Sequence, residues 1–187
     1  MSKVVLDVSV SLDGFTTGPN VRPEEPMGDG GEQLHTWMGA TGPDAAIRAG
    51  LDAAVGATII GRHTFDLGLD PWGGTPWPNT PSFVVTHRPR PDLVGDNGGT
   101  FVFDGLHAAV QRARQAAGPK DVVVLGANLA RGLLRANLLD ELHLHLVPIL
   151  LGNGTPLFTG ERATLIPVGN PIVGTATHLR FHIANAR

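Results

Sequence analysis

DVVVLGANLARGLLRANLLDELHLHLV, residues Asp121–Val147, contains the change of pattern that decides the fold. Val122, Val123, Val124 and Leu125 form an unbroken apolar run, as expected of a parallel strand covered on both faces. Gly126 ends it, and ANLARGLLRA then spaces its leucines with a helical period. ELHLHLV follows at once with strict alternation, the mark of a strand. A strand–helix grammar stops here, and a strand–strand grammar begins.

Upstream, strands and helices alternate. KVVLDVSV (3–10), ATIIG (57–61), SFVVT (82–86) and TFVF (100–103) read as strands. EQLHTWM (32–38) is a short helical candidate, and PDAAIRAGLDAAV starts with Pro43 at a favourable first position. DGLHAAVQRARQAAGP is the clearest helix. Asp104 is its expected N-cap, Leu106, Ala109, Val110, Ala113 and Ala117 share one face, and Gly118-Pro119 stops it. Downstream, ATLIPVG and ATHLRFHI are strand-like with no helix between them. The expectation is an α/β domain over 1–187, with a mixed, mainly parallel sheet and antiparallel strands at the C-terminal end.

The 187 residues are 42% apolar and 17% charged, which suits a compact core. A net charge of −3 gives no basic excess for nucleic acid. There are no cysteines, so thiolate catalysis, disulfides and cysteine zinc sites are excluded. No apolar run reaches membrane-spanning length, and Asp7 interrupts the opening stretch as a signal peptide, so a cytoplasmic protein is expected.

In a parallel sheet, ligands gather at the carboxyl ends of the strands. Here those ends carry SLDG, GRHT, THRP and LGAN. Gly61, Arg62, His63 and Thr64 combine a sharp exit, a helix start, a hydroxyl and a guanidinium, all suited to a phosphate. The plain alternative is a glycine turn with a solvated arginine. Thr86, His87, Arg88 and Arg90 bring no carboxylate before Asp92, which favours a 2′-phosphate over a bare ribose and hence NADP over NAD. A basic loop stiffened by Pro89 and Pro91 explains that stretch equally well. Gly126 allows close approach of a pyrophosphate, and Asn128 is the expected helix cap. GxGxxG and the P-loop spelling are both absent. Asp13 in SLDGF is either a turn former or a carboxylate near a reacting ring.

Trp37, Trp72 and Trp77 lie in or beside loop-rich segments, where they are expected to wall a flat heterocycle or simply to pack. Asp13, Asp29 and Glu32 are the candidate proton donors. His143 and His145 share one face of a strand opposite Leu142, Leu144 and Leu146, and are expected to be solvated rather than metal-bound. The same holds for His178 and His182.

SLDGF, IIGRHTF, FVVTHRP, VVLGAN and DELHLHLVPILLGNGTPLF, in this order and spacing, resemble the dihydrofolate-reductase-like superfamily. Their closer likeness is to the reductase domain of the bifunctional riboflavin-biosynthesis deaminase-reductase and its stand-alone bacterial relatives. The resemblance covers nearly the whole chain. It implies a dihydrofolate-reductase-like three-layer α/β/α fold, NADPH as cofactor, a homodimer, and reduction of a pyrimidine- or pteridine-like heterocycle such as a phosphoribosylaminouracil. It places Gly61, Arg62, His63 and Thr64 on the cofactor phosphates, and Thr86, His87 and Arg88 at the adenosine end. Leu125, Gly126, Ala127 and Asn128 match the pyrophosphate turn, and Leu12, Asp13 and Gly14 the nicotinamide end.

Two departures stand out. Relatives commonly carry consecutive glycines where this chain has Leu125-Gly126-Ala127, so a side chain at 125 is expected to crowd the dinucleotide. GRHTFDLGLDPWGG replaces the Asp-Asp-Pro…Leu…Arg signature tied to the phosphoribosyl substrate. Folate reduction and a nucleotide-binding module without catalysis both stay open.

Overall fold

The computed structural model describes residues 2–88 and 90–184. Its strands are β1 (Val4–Ser11), β2 (Phe15–Thr17), β3 (Val55–Gly61), β4 (Ser82–Val85), β5 (Leu93–Val94) and β6 (Thr100–Asp104). They continue with β7 (Asp121–Leu125), β8 (Glu141–Val147), β9 (Thr155–Pro156), β10 (Thr164–Pro167), β11 (Ile172–Val173) and β12 (Thr177–Ala184). The α-helices are α1 (Pro43–Ala54), α2 (Arg62–Trp72), α3 (Leu106–Ala117) and α4 (Ala127–Arg135), and Gly31–Gly39 is a 3-10 helix.

The main sheet runs β10-β12-β8-β1-β7-β3-β4-β6-β5, with β11 against β12. From β8 to β6 every pairing is parallel. β12 joins β8 antiparallel, and β10 joins β12 the same way. The expected mixed sheet is therefore present, and helices cover both of its faces. One face packs Val4, Leu6, Ile59, Phe83 and Val124 against Ala109, Val110 and Ala113 of α3 and Ala130 and Leu133 of α4. The other packs Ile60, Val84, Phe101 and Phe103 against Phe65 of α2, while Leu34 and Trp37 of the 3-10 helix meet Ile47 of α1. Alternate residues of one strand feed opposite layers: Ile59 goes to the first and Ile60 to the second, both with no exposed surface. Each such side chain contributes roughly 1.5–3 kcal/mol when it leaves water. This is the three-layer α/β/α architecture of the dihydrofolate-reductase-like fold.

Two expected caps are corrected. Asp104 is the last residue of β6 and not the cap of α3; that position is Gly105, and Asp104 pairs instead with Arg112 at 2.7 Å. Gly126, not Asn128, precedes α4, and no side chain caps that helix. Its first-turn amides therefore stay free for another acceptor.

Candidate functional site

Because β1, β7, β3 and β4 are parallel neighbours, their carboxyl ends share one rim. Register aligns Ile60 with Leu125 and Gly61 with Val85, so three strands stop nearly level. β1 pairs with β7 only as far as Leu6↔Val124, then continues along β8 to Ser11↔Val147. β1 thus runs on beyond its last pairing with β7, and this step in the rim is termed the notch. α2 and α4 start side by side at its floor, each presenting a first turn of unpaired N–H groups.

The floor is closed to a side chain at Gly126 and makes only ordinary contacts at Gly61. Gly126 has φ 102°, and a Cβ there would lie 2.6 Å from Thr64 Oγ1. A Cβ on Gly61 would meet Leu129 at 3.7 Å and Thr64 Oγ1 at 4.0 Å. Thr64, Gly61 and Gly126 are thus brought together. Ala127 is buried behind them, and Asn128 is exposed. Leu125 does not crowd this floor: its side chain belongs to the α2 face, against the cluster of Ile60, Phe65 and Phe101. Arg62 is held by Asp66 on its own helix at 2.8 Å, while His63 is exposed. Farther along the rim, Thr86 Oγ1 accepts the Arg88 N–H at 3.0 Å, and the His87 and Arg88 side chains are exposed. In the THRPRP stretch, Pro89 lies outside the described residues.

Over the β1 side, Leu12, Asp13 and Gly14 form the turn into β2. Leu12 is 62% exposed, and Gly14 has φ 92° with open space where a Cβ would stand. Asp13 accepts from Ser11 Oγ at 2.5 Å, Gly152 N at 2.7 Å and Leu151 N at 3.2 Å. The Ser11 hydroxyl and these amides hold its carboxyl below the usual range. Asp13 therefore ties two loops together as a carboxylate. Asp29 is held likewise. Asn20 and Arg22 hydrogen-bond it and bring its pKa to about 2. Glu32 stands exposed in the first turn of the 3-10 helix.

Both tryptophans expected to touch substrate are also corrected. Trp37 has no exposed surface; its Nε1–H donates to Ser9 Oγ at 2.9 Å, and its ring packs 4.3 Å from His145 and 5.0 Å from His178. Trp72 ends α2, a helix that begins at the rim, so about 15 Å of helix separates the two. Its neighbours are Gly68 and the Ile60–Phe101 cluster. Trp77 lies toward the same far edge and donates to Asp52 of α1 at 2.8 Å.

Of the four histidines expected to be solvated, His145 and His178 are buried, His143 is half-buried and His182 is exposed. Asp7 Oδ1 accepts from His145 Nε2 at 3.0 Å, His145 and His178 meet Nδ1 to Nδ1 at 2.7 Å, and His178 Nε2 donates to Asp44 Oδ1 at 2.8 Å. Burial alone would raise the Asp7 pKa, but hydrogen bonds from His143 and His145 outweigh it and hold it at about 2. Asp44, likewise opposed by burial, is held at about 2 by the Thr175 N–H, His178 and the Thr175 hydroxyl. A cavity of about 330 Å³ opens beside this chain, between α1 and strands β1, β8 and β12. Glu141 is paired there with Lys3 at 2.7 Å, His182 at 3.0 Å and His143 at 3.1 Å, while Arg180 and Asp121 line the same cavity outside any ion pair among the described residues. The rim, where two helices start without a side-chain cap, is the better candidate site.

Two features escaped the sequence reading. Arg131 lies one helical turn after Asn128 and contacts it, a neighbourhood that i,i+3 spacing alone predicts. The other is β9, too short to carry a pattern, which pairs with β2 above the notch.

The RibD C-terminal domain family model matches residues 2–179. Two Bacillus subtilis (strain 168) proteins are similar to the chain: YwjB, 29% identical over 104 residues, and YyaP, 25% identical over 168. The first match spans 56% of this chain and 59% of YwjB; the second spans 83% and 80%. Among solved structures, a Shewanella sp. PV-4 protein provisionally assigned to riboflavin biosynthesis superposes with a TM-score of 0.74 at 22% identity, covering 99% of this chain and 100% of its own. A pyrimidine reductase-like protein of Corynebacterium diphtheriae gives 0.65 at 15%, covering 99% and 93%. Acinetobacter baumannii RibD gives 0.61 at 18%, covering 98% of this chain and 58% of that one. At these identities the structural likeness establishes the fold.

Proposed function

Because the chain belongs to the RibD C-terminal domain family, we propose that it is an NADPH-dependent reductase of a pyrimidine- or pteridine-like heterocycle, with the dinucleotide lying along the strand-end rim. The observation that carries this reading is the notch floor: two adjacent helix N-termini around a glycine whose Cβ would strike Thr64. Such a floor suits an anion approaching backbone N–H groups closely. Gly61, Thr64, Gly126, Ala127 and Asn128 would hold the pyrophosphate. Thr86, His87 and Arg88 would receive the adenosine end, with the exposed Arg88 guanidinium on the 2′-phosphate. Leu12, Asp13 and Gly14 would border the nicotinamide.

When bound, the reduced nicotinamide supplies a hydride to an unsaturated carbon of the substrate. This chain's part is to orient the reactants and exclude water. Asp13 does so as a tether of the loop at Leu151 and Gly152. Asp13, Asp29 and Glu32 are the candidates for protonating the product. The reading includes a cytoplasmic homodimer, as the sequence resemblance implies.

Thermal unfolding with added NADPH and NADH tests it. At a hundredfold excess over its Kd, a ligand that binds only the folded state adds about 2.7 kcal/mol of stability. NADPH is expected to raise the Tm by several degrees and NADH by less. No rise with NADPH at millimolar concentration overturns the reading.

A further inference from the structure

Arg131 is buried, 9% exposed, and its guanidinium donates only to neutral oxygens. These are the carbonyls of Pro156 at 2.6 Å and Leu157 at 3.3 Å, and the carboxamide oxygen of Asn128. Among the described residues no carboxylate stands within 4.0 Å of it. Arg22, Arg48, Arg62, Arg112, Arg114 and Arg135 are all ion-paired. Carbonyls satisfy the hydrogen bonds of a guanidinium but leave its charge uncompensated, which is costly away from water.

The Asn128 contact also fixes an orientation. A guanidinium has donors only, so the amide atom facing it must be Oδ1. Asn128 Nδ2 is thereby turned away from Arg131, with no acceptor among the described residues. Asn128 is exposed in the first turn of α4, two residues after Gly126 with its positive φ. The same guanidinium is also linked to the turn between β1 and β2. Leu157, whose carbonyl it holds, donates its N–H to Gly14 O at 2.9 Å.

Resting on the reading that the rim takes a phosphorylated dinucleotide, we propose that Arg131 is a positioning residue of the pyrophosphate turn. It locks the Asn128 carboxamide so that Nδ2 donates to the bound anion, and that anion supplies the missing countercharge.

The test measures Kd for NADPH and for inorganic pyrophosphate, together with urea unfolding without ligand, in wild type, Arg131→Gln, Asn128→Ala, the double variant and Asn128→Asp. Arg131→Gln keeps neutral donors for the carbonyls and removes the charge. It and Asn128→Ala should each weaken both ligands about tenfold, and the double variant should lose little more, because residues acting through one contact are not additive. Asn128→Asp places a carboxylate beside the guanidinium. It should raise stability without ligand while weakening pyrophosphate about a hundredfold, a pairing that a merely structural arginine does not produce. Asn128 is exposed, so this variant folds even where Arg131→Gln does not. Additive losses, Arg131→Gln binding within about twofold of wild type, or unchanged stability in Asn128→Asp each overturn the proposal. A wild type that binds neither ligand overturns the rim reading itself, a pattern distinct from wild-type binding with insensitive variants.

Discussion

The strand-end rim and the Asp7–His145–His178–Asp44 chain are both polar assemblies that include β1, completed in opposite ways. Along the buried chain each donor meets an acceptor at 2.7–3.0 Å, and Trp37 lies against both imidazoles. Among the described residues no buried side-chain polar atom lacks a partner. Along the rim, Asn128 Nδ2 and the side chains of His87 and Arg88 have no acceptor among the described residues, and two helix starts lack a side-chain cap. Density of histidines and carboxylates is thus a poor guide to where a ligand binds. Unspent donors at an open edge are a better one, because buried polar groups saturate one another internally.

Removing a member of the saturated assembly should give the largest effect. Asp44→Ala strips partners from His178 and Thr175 at a site only 2% exposed, and should cost about 3–5 kcal/mol in urea unfolding. A loss under about 1 kcal/mol would erase the contrast with the rim.

Acid should sharpen it next. The folded pKa of Asp7 lies at about 2 against an ordinary 3.8. Its contribution is therefore fully present above pH 3.8 and is lost as pH falls toward 2. The loss is about 2.5 kcal/mol. Asp7→Asn should flatten that part of the stability–pH curve; an unchanged acid limb would show that the carboxylate is not held as described.

The smallest effect on folding should come from the rim. Arg88→Ala should change stability by less than about 0.5 kcal/mol. It should nevertheless lower the ratio of NADPH to NADH affinity by roughly tenfold, as expected for loss of a charged hydrogen bond. An unchanged ratio in direct titrations removes Arg88 from the 2′-phosphate.

How legible these regions were in the sequence follows from the range of their interactions. The rim is built from chain segments that announce themselves locally: a β-branched run, a glycine, then a helical period, as in Ile59–Thr64 and Val122–Asn128. The three-layer fold follows from the same grammar. The buried chain joins residues that are far apart, Asp7 with His145 and Asp44 with His178, so alternation gave the face of each histidine but not what covers it. The covering elements are the 3-10 helix and α1, and Trp37 with them. Trp72 was misplaced because the sequence of α2 specifies a helix but not which edge of the sheet its end reaches. Asp13 was legible as a turn former, and its tether to Gly152 across the chain was not.

The position of β1 has a consequence for how the chain comes to be folded during synthesis. The partners of Val4 and Val5 on either side are Val122 and Glu141. Val122 follows Val4 by 118 residues and Glu141 follows Val5 by 136, so both are synthesised long after their partners. β1 is therefore among the last strands to find its neighbours, and it must stay unaggregated meanwhile. Asp7, in the middle of that apolar segment, carries a charge that keeps it solvated until the imidazoles arrive.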